Sequence, residues 1–241
     1  MWKRNRNSPP RKPLEAVVAA PELAGARAIP DRELYQPTFQ PWHDPAFLAE
    51  IEGLRDLVTP DRLWVVRSLL QQTRRLGEVW ECGVYKGGTA RFLVDTLERL
   101  GDTTTLVRLF DTFAGMPESD PARDLHGPGD FADTSASAVA ERVGRPERVC
   151  IHAGWIPTTF AGLESTTIGF AHVDTDIYRS VRDCAEFVWP RLAIGGAVVF
   201  DDYGFPTCPG AREAVDEFFV AEGTAVPLAL HTGQAVVFKG P

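Results

Sequence analysis

The sequence predicts an α/β fold: a mostly parallel sheet with helices on both faces and an antiparallel hairpin at its end. Three observations carry this. From residue 78 onward, apolar runs of strand length alternate with longer segments of helical period. Several runs stop at an acidic residue, as strands do at the ligand-binding edge of an open α/β sheet. The last run, ALHTGQAVVFK, reads as two strands around a Thr232-Gly233 turn.

In chain order, residues 1–42 are rich in proline and charge (SPPRKP, IPDRELYQPTFQPW) and read as a disordered tail followed by an extended arm. The basic cluster Lys3, Arg4, Arg6, Arg11 and Lys12 reads as solvated, the alternative being contact with an acidic partner. No apolar stretch of signal-peptide length follows it, since LEAVVAA is short and carries Glu15. Residues 43–77 form an expected N-terminal helical cover. Phe47, Leu48, Ile51, Leu54 and Leu57 mark one face of a first helix. Thr59 before Pro60 opens a second, with Leu63, Val66, Leu69, Leu70 and Leu76 as its stripe. Lying before the first strand, these helices are expected to act as a lid or a subunit contact.

Residues 78–241 make up the main domain. EVWECG (78–83) is the first strand, followed by a helix over 89–100. TTTLVRLFD (103–111), PERVCIHAG (146–154), TTIGFAHVD (166–174) and GGAVVFDD (195–202) follow as strands. SASAVAERV is helical, and so is the segment with Ile177, Val181, Cys184, Val188 and Leu192 on one stripe. Five parallel strands ending in a hairpin do not match a two-halved dinucleotide dehydrogenase. They suit a class I methyltransferase (Rossmann-like) sheet, whose last strand inserts antiparallel. The long polar loop 112–134 is of a kind that is functional or mobile.

With 241 residues the chain is long enough for one large α/β domain with a lid. A net charge of −8 gives no case for nucleic-acid binding. Cys82, Cys150, Cys184 and Cys208 show no paired spacing, which fits free thiols in a reducing, cytoplasmic setting. No run has membrane-spanning length.

The chemistry centres on FAHVDTDIY and GGAVVFDDY. If both runs are parallel neighbours, Asp174, Asp176, Asp201 and Asp202 meet at one sheet edge. So many carboxylates repel unless a cation joins them, and an all-oxygen set suits Mg²⁺ or a similar divalent ion. Such an ion would lower the pKa of a substrate hydroxyl. Glu81-Cys82-Gly83-Val84-Tyr85-Lys86-Gly87-Gly88-Thr89 is a glycine-rich turn into a helix, whose N-terminus favours an anionic group. A ligand-binding turn and a plain βα turn both fit. Asp111 ends the second strand, where an acid can accept from both ribose hydroxyls of an adenosine ligand or simply cap a turn. Paired with Glu81, which can neutralise an ammonium, it points to S-adenosylmethionine (SAM).

ECGVYKGGTARF, LFDTFAGMPE, HVDTDIY and DDYGFPTCPGAREAVDEFF, occurring in that order, resemble the macrocin O-methyltransferase family over about residues 60–240. The resemblance implies a metal-dependent SAM O-methyltransferase of sugar hydroxyls, in a homodimer or larger assembly. It implies Asp174, Asp201 and Asp202 as metal ligands, with Asp174 also the general base. It implies Glu81, Gly83, Tyr85, Gly87 and Asp111 as SAM contacts. The partner is then a small-molecule hydroxyl acceptor, a sugar or glycoside.

Other residues carry two readings each. Asp176 supports the metal ligands by a hydrogen bond or caps the next helix. His172 is a satisfied core histidine or a base; His126 is solvated or approaches substrate. Tyr203 and Phe205 wall the acceptor pocket or pack beneath the loop, and Trp155 packs near the adenine or in the core. Two other functions share the pattern: a metal-dependent glycosyltransferase using Asp174-Thr175-Asp176 as a D-x-D, and a non-catalytic binding protein on the same fold.

Overall fold

The computed structural model describes residues 40–241 apart from positions 55 and 222. All but the last residues of the expected 1–42 tail and arm, with its basic cluster, lie outside the described residues. Helix α1 (Pro45–Glu50) starts where the Asp44 side chain accepts from the amides of Ala46 and Phe47. The face expected to run on to Leu57 is broken. Gly53 turns the chain at φ 73°, so Phe47 and Ile51 are buried while Leu48 and Leu57 are exposed. Helix α2 (Pro60–Thr73) buries Leu63, Val66, Leu69 and Leu70 as expected, and also Arg62 on the same stripe.

Strands β1 (Glu78–Cys82), β2 (Val107–Asp111), β3 (Val149–Ala153), β4 (Ile168–Val173) and β5 (Leu192–Phe200) pair in parallel. They alternate with α3 (Gly88–Arg99), α4 (Ala136–Val143) and α5 (Tyr178–Arg191). Strand β2 begins later than expected because Asp102 turns the chain, its carboxylate accepting from the amides of Thr104 and Thr105. After β5 come α6 (Pro209–Val215), continued by a π-helical turn over Asp216–Ala221, then β6 (Leu228–Ala229) and β7 (Ala235–Phe238). The α6 segment was not singled out as a helix from the sequence.

The sheet order is β3-β2-β1-β4-β5-β7-β6, with β7 antiparallel to both its neighbours. This is the expected hairpin insertion. Strand residues alternate between two cores. Val79, Leu109, Phe170 and Val199 pack with α1 to α4 on one face. Trp80, Phe110, Val173 and Phe200 pack with α5 and α6 on the other. The expected α5 stripe from Ile177 to Leu192 is buried throughout. Chain order reverses between β1 and β4, the switch point at which open α/β sheets bind ligands.

Candidate active site

One cleft opens at that switch point. It is lined on one side by Glu81, Gly83, Tyr85 and Asp111, and on the other by Asp174, Asp176 and Asp202. The β1–α3 turn is shaped by its glycines. Gly83 stands at φ 86°, and a Cβ there would fall 1.7 Å from the Asp174 carbonyl oxygen. Gly87 does not line the cleft. It is the left-handed N-cap of α3 and faces Val139 of α4, so its role is to let the helices approach.

Glu81 is buried at the end of β1, with Oε2 lacking a hydrogen-bond partner among the described residues. Burial pushes its carboxyl up to about 7, against the pull of His172. An orphaned carboxylate oxygen facing a cleft is the partner an ammonium group needs. Asp111 is already engaged: Oδ2 accepts from the amides of Val84 (2.7 Å) and Tyr85 (2.9 Å), and Oδ1 from Phe113 (2.7 Å). A carboxylate offers about four acceptor sites, so little capacity is left for ribose, and Asp111 also clamps the turn. The α3 N-terminus is taken as well. Asp56 accepts from the Gly88 amide at 3.0 Å and is held by Arg142. The anion expected at this helix end is therefore supplied by the protein itself.

On the other side, β4 and β5 lie side by side as expected, and their acids converge. Oxygens of Asp174, Asp176 and Asp202 lie within 4.8 Å of one another, and ligand atoms of His172, Asp174 and Asp201 do likewise. Asp201 itself does not line the cleft, and most of its acceptor capacity is engaged. Oδ1 accepts from Gln234 (2.6 Å) and His172 (3.1 Å), and Oδ2 pairs with Arg62. The charges divide accordingly. Burial and mutual repulsion hold Asp174 and Asp202 well above the usual carboxylate range. Asp176 is raised too, mainly by burial. For Asp201 burial also acts upward, but His172, Arg62 and Gln234 outweigh it and hold it low. Asp174, Asp176 and Asp202 form an all-oxygen donor set, and Asp174 and Asp202 have no ion pair among the described residues, so these residues fit a hard divalent ion.

Asp176 is not a helix cap: the N-cap of α5 is Ile177, without a side-chain bond. Its carboxylate instead accepts from Cys208 Sγ (3.5 Å) and sits 4.0 Å from His126 Nε2. His126 lines the cleft instead of standing in solvent, and Trp155 lines it too, 60% exposed, instead of packing in the core. Phe205 walls the cleft, while Tyr203 turns its hydroxyl to Asp216. His172 is fully buried, its Nε2 donating to Asp201 and its Nδ1 lying 3.7 Å from Glu81.

Four residues escaped the sequence reading. Arg62 left a trace, because a charge lying on an apolar helical stripe marks a buried partner. Gln234, Asp56 and Asp124 left none. Asp124, buried in the 112–134 loop, accepts from the Tyr178 amide at 2.8 Å and so caps α5 from a distance.

A seven-stranded sheet of this order with a cleft of this make-up defines a class I methyltransferase fold. The O-methyltransferase NovP has a similar structure, with TM-score 0.68 and 24% identity, covering 76% of this chain and 81% of that one. A profile of the macrocin-O-methyltransferase family matches residues 61–239, and the chain belongs to that family. It is 30% identical over 68% of its length to an 8-demethyl-8-(2,3-dimethoxy-alpha-L-rhamnosyl)-tetracenomycin-C 4'-O-methyltransferase of Streptomyces olivaceus. It is 29% identical over 59% of its length to a mycinamicin III 3''-O-methyltransferase of Micromonospora griseorubida. These matches span 66% and 60% of the relatives' own lengths. None of them speaks for the glycosyltransferase or non-catalytic readings. Among the described residues no helix is long and apolar enough to cross a membrane.

Proposed function

We propose that the chain is a SAM-dependent, divalent-cation-dependent O-methyltransferase acting on a sugar hydroxyl of a glycosylated small molecule. The observation that carries this is the cleft shared by Glu81, whose Oε2 has no hydrogen-bond partner among the described residues, and the crowded acids Asp174 and Asp202. Glu81 would pair with the ammonium of the methyl donor. Gly83 and Tyr85 would shape its seat, and Asp111 would hold that turn in place and use its remaining acceptor capacity on ribose.

Asp174 belongs to both of the clusters that draw on these acids, which supports it as the ligand that would hold a Mg²⁺. Asp202 stands on its open side. Asp201 joins by loosening Arg62 or through the lone pairs its partners leave free. The chemistry such an ion supplies is Lewis-acid activation of the acceptor hydroxyl. Asp174 is also the carboxylate proposed to take the hydroxyl proton. A second reading gives that proton to Asp176, because its oxygens face the cleft and do not cap α5. The methyl group then passes to the acceptor oxygen by in-line displacement. The relative of Streptomyces olivaceus is named for a rhamnosyl-tetracenomycin, and the acceptor class proposed here rests on that name and on the family match. A homodimer or larger assembly and a cytoplasmic setting complete the reading; all four cysteines are free.

The test is incubation with methyl-labelled SAM and a panel of rhamnosides and other glycosides, with and without EDTA. Label is expected in a glycoside only when a divalent ion is present. Transfer to none of the glycosides, or transfer indifferent to EDTA, would sink this reading.

A further inference from the structure

We propose a second metal site, of the Zn²⁺ class, formed by His126, Asp176 and Cys208 beside the hard-oxygen cluster. These residues come from three separate segments: the 112–134 loop, the β4–α5 turn and the β5–α6 connection. Their ligand atoms lie within 4.8 Å of one another. Asp176 Oδ1 is 3.5 Å from Cys208 Sγ and 4.0 Å from His126 Nε2. A tetrahedral Zn²⁺ spaces N, O and S donors about 3.4–3.6 Å apart, so the Asp176–Cys208 pair already has that spacing and the Asp176–His126 pair must close by about 0.6 Å. The mixed N/S/O set suits a borderline-soft transition ion, whereas the neighbouring all-carboxylate set suits Mg²⁺.

A separate observation points the same way. His126 Nδ1 lies 3.3 Å from Asp130 Oδ2. Metal-binding histidines characteristically give their second ring nitrogen to a carboxylate, which fixes the tautomer and aims the other lone pair at the ion. Here the aimed atom is Nε2, on the side of Asp176. Cys208 is buried and His126 half-buried, while the cleft supplies access and a fourth, open position. Binding releases the Cys208 thiol proton to solvent, and the thiolate takes the ion. An ion so held ties the 112–134 loop to the sheet edge and withdraws Asp176 from the acceptor side.

The experiment titrates Co²⁺, then Zn²⁺, into the full chain in excess Mg²⁺. The expected result is one tight Co²⁺ per chain beyond the Mg²⁺ site, with thiolate-to-cobalt charge-transfer absorption in the near ultraviolet. Zn²⁺ displaces it. Cys208→Ser abolishes the band and Cys150→Ser keeps it. Asp130→Asn weakens Zn²⁺ by about 10–100-fold and His126→Asn by at least that much. His126→Asn changes a loop residue, so it reports even if Cys208→Ser fails to fold. Absence of the band, its persistence in Cys208→Ser, or unaltered affinity in His126→Asn overturns the proposal. Zn²⁺ inhibition of methyl transfer is a further readout that rests on the function proposed above; the absorption and affinity measurements do not.

Discussion

The α-carbon of Gly83 stands against the carbonyl oxygen of Asp174, leaving 1.7 Å where a Cβ would sit. The β1–α3 turn and the acid-bearing strand end are thus in backbone contact. Gly83→Ala meets both this clash and a φ of 86°. The expected outcome is a loss of about 3 kcal/mol in thermal unfolding and no measurable SAM binding by calorimetry. Gly127→Ala, which meets open space, should stay within about 0.5 kcal/mol of the parent.

Glu81 must be ionised to hold an ammonium, and its carboxyl titrates at about 7. Affinity for S-adenosylhomocysteine should therefore rise with pH through that region, by about tenfold per unit below it. Glu81→Gln should flatten the profile and weaken binding at pH 8. The same shift has a stability consequence of opposite direction. The folded state retains a proton that the unfolded chain has lost between 4.5 and about 7. Ligand-free stability from this group is thus complete below 4.5 and declines as pH rises to about 7. A pH-independent Kd would count against Glu81 as the ammonium partner.

Arg62 and Asp201 are both buried, so removing Arg62 takes from Asp201 one of its two charged partners and leaves His172 as the other. Arg62→Met should cost about 3–5 kcal/mol in chemical denaturation. Arg62→Lys should retain part of this, since the charge survives but the bond to the Leu57 carbonyl (2.6 Å) does not. A loss below about 1 kcal/mol for Arg62→Met would show the pair to be unimportant to stability.

Asp174→Asn and Asp202→Asn should each weaken Mn²⁺ binding, followed by electron paramagnetic resonance, by at least about 10-fold. Asp176→Asn should leave Mn²⁺ affinity near that of the parent. If Asp176→Asn nonetheless loses turnover while Asp174→Asn regains it at high metal, the proton goes to Asp176. Wild-type turnover by Asp201→Asn with Asp202→Asn in EDTA would end the metal reading.

Gly210 in α6 packs so closely on the start of α5 that a Cβ would lie 2.1 Å from Asp124 Oδ1 and 2.9 Å from Tyr178 Cβ. Gly210→Ala should destabilise by about 1–3 kcal/mol. A melting temperature equal to the parent's would show that the contact relaxes freely.

Much of the fold could be read locally. The strand ends at Glu81, Asp111, Asp174 and Asp201 follow from apolar runs, and the α5 stripe from its period. The Thr232-Gly233 turn announced the hairpin. What stayed hidden depends on partners far apart in the chain: Arg62 and Asp201 are separated by 139 residues, Asp124 and Tyr178 by 54. Local periodicity carries no record of such pairings. The division of the acids shows the same limit. Asp201 and Asp202 are indistinguishable as neighbours in sequence, and the three-dimensional placement of His172, Arg62 and Gln234 separates their charge states.

The bond from the Tyr178 amide to Asp124 fastens the 112–134 segment near its midpoint to the first turn of α5. On the near side, Asp120 and Asp124 bond to each other's backbone. On the far side, His126 and Phe131 reach the cleft. A door hung this way has its hinge at Asp124 and a short leaf beyond it. The leaf is latched at its far end as well, where Asp133 accepts from Tyr85 and Lys86 and Thr134 donates to the Tyr85 carbonyl, so a displacement of His126 or Phe131 would pull on the β1–α3 turn.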